Sequence, residues 1–269
     1  MRFNQYLKNN TMQPNLLMAI ILPVFVACIQ PAPSPMPDKL AIAKTDENPY
    51  PSINQIPVPD GFKRVPVASS SFGEWLRAQP LKKEKAVFLF NGSLKHNQQA
   101  QFAVLDISIG KKDLQQCADA VMRLRAEYLY KQHRYSEIVF KDNSGKKYVC
   151  PPNANREQFN KYLELVFSWC GTISLEKQLS SVNVINDVQP GDVFIKGGSP
   201  GHAAIVMDVV QNSKGEKMVM LANGYMPAQD IHVVRNIYNE EDSPWIWVNG
   251  KDPVRLPEWT FGSNQLRTW

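Results

Sequence analysis

Helical periodicity gathered in the middle of the chain, followed by strand-like runs that fill its last third, predicts an α+β domain with segregated rather than alternating elements. Composition fits a folded chain: 43% hydrophobic and 10% aromatic residues are globular usage, not disordered usage. Setting aside an N-terminal export segment and a linker leaves about 210 residues for one domain, enough to bury a core without staples.

The first 28 residues read as targeting. Arg2 and Lys8 make a positive start, and Leu16 to Ala27 form an apolar run of 12 residues. That run is too short to span a bilayer but has signal-peptide length. It ends in Phe25-Val26-Ala27-Cys28. Small residues before a Cys at this place resemble a bacterial lipobox, which implies a lipid on Cys28 and a mature chain beginning there. The alternative is cleavage near Ala27 to a soluble periplasmic protein. Acyl chains on Cys28 would anchor the chain to a membrane, facing the periplasm or the cell surface. Residues 29–60 hold eight of the twenty prolines and read as an extended tether. The single folded domain is then 61–269.

Within that domain Phe62 to Val67 reads as a strand. Ser71-Phe72-Gly73-Glu74 has capping-box spacing and opens a short helix through Trp75 and Leu76. Ala86 to Phe90 and Phe102 to Ile109 alternate or run apolar like strands. A helix spans Asp113 to about Gln132, a weaker strand region Ile138 to Val149, and a second helix Arg156 to Trp169. Thr172 caps a short third helix through Leu179. Five strands follow: Asp192 to Ile195, His202 to Val210, Lys217 to Ala222, Ile231 to Val234 and Trp245 to Val248.

The net charge of +5 comes from Lys and Arg interleaved with Asp and Glu, so no nucleic-acid stripe exists. Weak attraction to anionic envelope polymers or lipid is all this charge supports. Apart from Cys28 the cysteines are Cys117, Cys150 and Cys170, an odd number that leaves one thiol unpaired in an oxidising compartment. Cys150 with Cys170 is the candidate disulfide, and Cys117 the free thiol.

Cys117 carries the chemical interest. Asp113 as cap and Gln116 three residues on complete a capping-box pattern, which puts Cys117 in the first helical turn. Free N–H groups and the positive helix end favour a thiolate there. Asp119, Arg123 and Glu127 form a stripe at i, i+4 spacing that should face solvent. Cys117 shares the apolar face with Val121, Leu124 and Tyr128, which is also how a plain core cysteine sits. Farther along, Pro190-Gly191-Asp192 turns into a strand, and the tight loop Gly197 to Gly201 leads into a second strand that starts with His202. A neutral imidazole at a strand end can serve a thiol as base and a leaving group as acid.

Gln116-Cys117 opening a helix, Pro190-Gly191-Asp192, and Gly201-His202-Ala203-Ala204-Ile205-Val206 together resemble the CHAP and NlpC-type papain-like cysteine hydrolases. The resemblance implies a papain-like fold with a central helix packed on an antiparallel sheet, and cleavage of amide bonds in cell-wall peptides. It implies Cys117 as nucleophile, His202 as base and, at the end of the next strand, Asn223 as the residue orienting the ring; Gln229 competes for that place. Gln116 stands where NlpC-type enzymes carry Asp. Over the whole mature chain the sequence also resembles a bacterial family described as a domain of unknown function, number 4846. That likeness runs through Gln115 to Ala120, Arg123 to Tyr128, Gly197 to His202 and Tyr225 to Asp230.

Arg125 lies within the apolar side of its helix, either as a structural ion pair or, with Gln116 and Gln229, as a substrate contact. His232, two residues after Asp230, is a second candidate base. His96 and His133 sit in polar surroundings and read as surface residues. No cluster has metal-ligand spacing, and no cofactor is expected. Trp245, Trp247, Trp259 and Trp269 either floor a cleft or fill core. The expected partners are a cell-wall peptide or similar envelope substrate and the membrane, with no nucleic acid. The rival reading is a non-catalytic envelope lipoprotein that binds or scaffolds; acyl transfer to or from lipid is a third.

Overall fold

The computed structural model describes residues 47–269. The expected export segment, Cys28 with its lipid, and the first part of the proline-rich tether lie outside the described residues. Packing begins before Gly61: Ile53 and Ile56, at a 3-10 turn over Ile53–Gln55, are fully buried.

The elements follow in order as β1 (Phe62–Arg64), α1 (Phe72–Arg77), β2 (Gln101–Val104), α2 (Cys117–Lys131), β3 (Val139–Lys141), β4 (Lys147–Val149), α3 (Arg156–Trp169), α4 (Thr172–Gln178), β5 (Ser180–Ser181) and β6 (Val193–Lys196). Then come β7 (His202–Asn212), β8 (Lys217–Asn223), β9 (His232–Val234), β10 (Trp245–Val248), β11 (Val254–Arg255), β12 (Thr260–Phe261) and β13 (Leu266–Thr268). Nine strands make one sheet in the order β2-β9-β8-β7-β6-β13-β5, with β1 also paired to β7 and β10 to β8. Every pairing in it is antiparallel.

The expected α+β, papain-like arrangement with a central helix on the sheet does not hold. The described residues are dominated by the nine-stranded sheet, with few and short helices. The reason lies in β7 and β8. Residues 202–210 and 217–223 are buried without interruption, so these strands are covered on both faces, unlike an antiparallel sheet with one wet side. One apolar cluster gathers Ala203, Ile205, Met207, Met220 and Ala222 with residues of α2. The other gathers Ala204, Val206, Val219 and Leu221 with Leu256, Phe261 and Leu266 from the C-terminal segment. Helix α2 covers one face only, and the sheet is the middle layer.

Local signals account for the element ends. Ser71 Oγ accepts the Glu74 N–H at the start of α1. Asn155 and Gln158 cap α3 reciprocally, each side chain accepting the other's N–H at 2.9 Å. The expected strand at Ala86 to Phe90 is instead extended chain touching its neighbours through the isolated bridges Phe88–Leu94 and Leu89–Gln229. Ile138 to Val149 is a hairpin of β3 and β4, its turn held by Asp142 Oδ1 accepting from Ser144 and Lys146. Strand β7 carries a bulge between Val206 and Asp208. Just past it the fully buried Asp208 accepts from Arg64 and Arg77, both at 2.6 Å, fastening β1 and α1 to the sheet.

Candidate active site

Helix α2 opens at Cys117, three residues later than a cap at Asp113 would have it. Gln116 is the N-cap residue, and Asp119 in the third helical position accepts the Gln116 N–H at 3.0 Å. Asp113 stays outside the helix and accepts from the Ala228 N–H at 2.7 Å and from Gln116 Nε2 at 3.2 Å. Gly224, the residue after β8, lets the strand end approach the helix start. A Cβ on it would meet the Gln116 carbonyl oxygen at 3.0 Å and Ala120 Cβ at 3.2 Å. The close approach puts Cys117 at the end of the central strands.

His202 opens β7 directly after the glycine loop. At Gly201 a Cβ would lie 2.5 Å from the Gly198 carbonyl oxygen and 2.6 Å from Thr172 Oγ1, so only glycine fits before the histidine. The imidazole is buried among Tyr225, Trp259 and Phe261, with ring centroids 5.0, 5.2 and 5.8 Å away. Asn223 Nδ2 lies 2.9 Å from its Nε2. Burial first, and the nearby Lys95 cation second, push the His202 pKa down to about 3, so the ring is neutral. Lys95 is itself buried and paired with Glu258.

Cys117 and His202 line one cavity of about 560 Å³, together with Gln116, Asp119, Tyr225 and Trp259. Burial pushes the Cys117 thiol up to about 11, and the Asp119 charge adds to this. Hydrogen bonds from the N–H groups of Ala118, Ala203 and Cys117 itself pull the other way and lose. The thiolate expected at the helix start is therefore overridden: desolvation outweighs the helix end. Because Ala203 follows His202, its N–H places the sulfur at the start of β7.

Asp119 corrects the reading of a solvent-facing stripe. It is 5% exposed, and burial holds its carboxyl well above the usual carboxylate range. The rest of that stripe pairs with itself, Arg123 Nε to Glu127 at 2.8 Å, both largely buried. Asp119 Oδ1, Asn223 Oδ1 and Trp259 Nε1 are buried with no hydrogen-bond partner.

Of the expected site residues, Cys117, His202 and Gln116 meet at the cavity, and Asn223 stands behind His202 on its ring nitrogen. Arg125 does not line it. Its guanidinium sits over the rings of Phe72, Trp269 and Tyr128 at 5.0, 5.2 and 5.5 Å. Gln229 is buried, pairs through its backbone with Leu89, and also lies off the cavity. His232 is fully buried on β9 and does not reach it either. Cys150 and Cys170, the candidate disulfide, are free thiols, as is Cys117. His96 and His133 are exposed. Trp245 fills core, Trp247 is exposed at 43%, Trp269 is partly buried, and Trp259 floors the cavity. Among the described residues no group of three or more His, Cys, Asp or Glu could hold a metal ion. The sequence left Asp119 and Tyr225 unassigned as cavity residues, and left Trp259 open between cleft floor and core. Only Asp119 carried a signal, as the acid three residues past the N-cap.

A family model described as domain of unknown function (4846) matches residues 53–151 and 146–268. The chain belongs to this family. Neither the functionally curated proteins nor the solved structures contain a match.

Proposed function

We propose that this member of the family is a cysteine hydrolase of the bacterial envelope that cleaves amide or peptide bonds of cell-wall peptides. One observation carries the reading: Cys117 and His202 line a common cavity while Asn223 Nδ2 lies 2.9 Å from the imidazole Nε2. The Cys117 sulfur attacks the substrate carbonyl carbon as His202 takes the S–H proton. The proton passes to the leaving amine as the C–N bond breaks, and a thioester remains on Cys117. Water, deprotonated by His202, then releases the acid and restores the thiol. N–H groups in the first turn of α2, which have no intrahelical partner, stabilise the oxyanion. Export and a lipid anchor at Cys28 belong to the same proposal and rest on the sequence alone. Incorporation of an alkyne fatty acid that disappears in Cys28→Ser tests the anchor.

The test of the chemistry is release of amine from a synthetic cell-wall peptide library. Cys117→Ala and His202→Ala should each abolish it, and a variant retaining full turnover refutes the assignment. A second reading has its own support. A thiol raised to about 11 beside an imidazole lowered to about 3 is also what a non-catalytic binding module would hold. Peptide binding without turnover by the unaltered protein would favour that module.

A further inference from the structure

Part of the wall around His202 comes from a segment that the large sheet does not hold. Strands β11 and β12 form a separate ribbon of two residues each, and a hairpin of that size is marginally stable by itself. Its turn is Leu256-Pro257-Glu258-Trp259, closed by the Leu256 N–H donating to the Trp259 carbonyl at 2.7 Å. Two of the three rings around the imidazole, Trp259 and Phe261, belong to this segment. Phe261 has an anchor: it is fully buried, with its ring centroid 5.9 Å from that of Phe194 on β6. Trp259 is only partly buried, and its indole Nε1 has no hydrogen-bond partner.

Glu258, one residue before Trp259, ties the turn down. Lys95 Nζ donates to Glu258 Oε2, and Asn97 Nδ2 donates to Oε1 at 3.2 Å. The third ring is fastened to the same residue, since the Tyr225 hydroxyl donates to the Glu258 carbonyl at 3.3 Å. Those last two hydrogen bonds are long, whereas the Lys95 contact joins two charges and is the strongest of the three. The Lys95 side chain is 6% exposed and that of Glu258 21%, so removing either partner strands a charge with little water around it. Lys95 is itself held. Its N–H donates to the Val87 carbonyl at 3.0 Å. The neighbouring Phe88 and Phe90 N–H groups reach Asp230 Oδ2 at 2.9 Å and the Ala228 carbonyl at 2.8 Å, just ahead of β9.

We infer that Lys95 is a positioning residue: through Glu258 it clamps the turn 256–259 and so holds Trp259 and Tyr225 against the His202 imidazole. Lys95 does not line the cavity and acts only through the rings it fastens. The catalytic consequence rests on the hydrolase reading, in which the imidazole must present one nitrogen to the sulfur and the leaving group. The placement of the rings does not depend on turnover.

The experiment measures nuclear Overhauser cross-peaks from the His202 ring protons in the full chain with labelled histidine and aromatic residues. The His202 signals are assigned by their loss in His202→Gln. The unaltered protein should show cross-peaks to Tyr225, Trp259 and Phe261. In Lys95→Met and in Glu258→Gln those to Trp259 and Tyr225 should fade, while the one to Phe261, which has its own anchor, persists. Glu258→Gln keeps the cation, so a loss common to both variants reports the clamp and not the charge near the ring. Lys95→Arg, which preserves the ion pair, should keep all three. A folded Lys95→Met or Glu258→Gln with undiminished Trp259 and Tyr225 cross-peaks overturns the inference. If the single variants do not fold, Lys95→Met/Glu258→Leu, which strands no charge, decides by the same cross-peaks. Turnover gives a separate answer. Under the hydrolase reading kcat in Lys95→Met falls by up to about a hundredfold, the cost of a catalytic group misplaced by about 1 Å, and recovers in Lys95→Arg. No turnover by the unaltered protein would sink that reading and leave the clamp to the cross-peaks.

Discussion

Alkylation of Cys117 by iodoacetamide, followed by peptide mass spectrometry from about pH 5 to about pH 11, measures how far burial outweighs activation. With the thiol at about 11 rather than its usual 9.0, the thiolate fraction at neutral pH is about 10⁻⁴ instead of about 10⁻². The more basic sulfur is a better nucleophile by roughly tenfold over two units. The net expectation is a rate about tenfold below that of an ordinary thiol, with log rate climbing one unit per pH unit until about pH 11. A thiolate–imidazolium pair would instead require moving a proton from Cys117 at about 11 to His202 at about 3. That gap of about eight units is about 11 kcal/mol. Two unit charges even as close as about 4 Å in an effective dielectric near 20 would return only about 4 kcal/mol. The neutral pair wins by about 7 kcal/mol, so proton transfer has to accompany attack rather than precede it. A flat rate between about pH 5 and about pH 8 that collapses in His202→Ala would refute this reasoning, because only a standing ion pair produces it.

Acid should unfold the protein through its histidines. His202 and His232 have folded pKa values of about 3, below the unfolded 6.5, so the stability they contribute is whole above 6.5 and is lost as pH falls toward 3. At about pH 5 each has lost about 2 kcal/mol, and urea titrations should show the wild type falling more steeply than His202→Gln/His232→Gln. Asp119 and Asp192, whose burial raises their carboxyls, act with the opposite sign in both proteins and cancel; equal slopes would sink the claim. Separately, Gly201→Ala should lower stability by about 1–3 kcal/mol, because a methyl there meets the Gly198 carbonyl oxygen at 2.5 Å. An unchanged melting temperature would show that the loop before His202 yields freely.

Much of the local structure is legible in the residues. The apolar runs of β7 and β8 are continuous because both faces are buried, and α3 is bracketed by the Asn155 and Gln158 cap. What the sequence hides is which layer lies in the middle. A cysteine opening a helix and a histidine opening a strand describe two local settings. The pairing that builds nine strands is non-local, with the C-terminal β13 inserted between β6 and β5. Asp119 was misplaced because Asp113 is an equally good cap by type; with the cap three residues later at Gln116, Asp119 becomes the third helical residue and turns back onto the Gln116 N–H at the cavity. Arg125 looked like an ion-pair or substrate residue for want of any view of Trp269, which reaches it from the far end of the chain. Trp259 carries no local mark of its place beside His202.

The side on which His202 emerges depends on the bulge in β7. Before it the residues alternate by two, with Ala203, Ile205 and Met207 in the cluster that holds α2 and Ala204 and Val206 in the other. Across it the spacing becomes three: Met207 and Val210 share the first cluster, Val206 and Val209 the second. Met207 is the extra residue, since Val206 pairs with Leu221 and Asp208 with Met220. A strand has a period of two, so one residue more or fewer exchanges its faces. The phase of the segment beginning at His202 is thus set relative to the outer half of β7, which Asp208 ties to Arg64 and Arg77. His202, Asn223 and His232 can lie side by side on β7, β8 and β9 only in that phase. The ion-pair network lies outside the cavity, yet it fastens the strand where its register is decided, and by that route it bears on the histidine as directly as the glycine loop beside it.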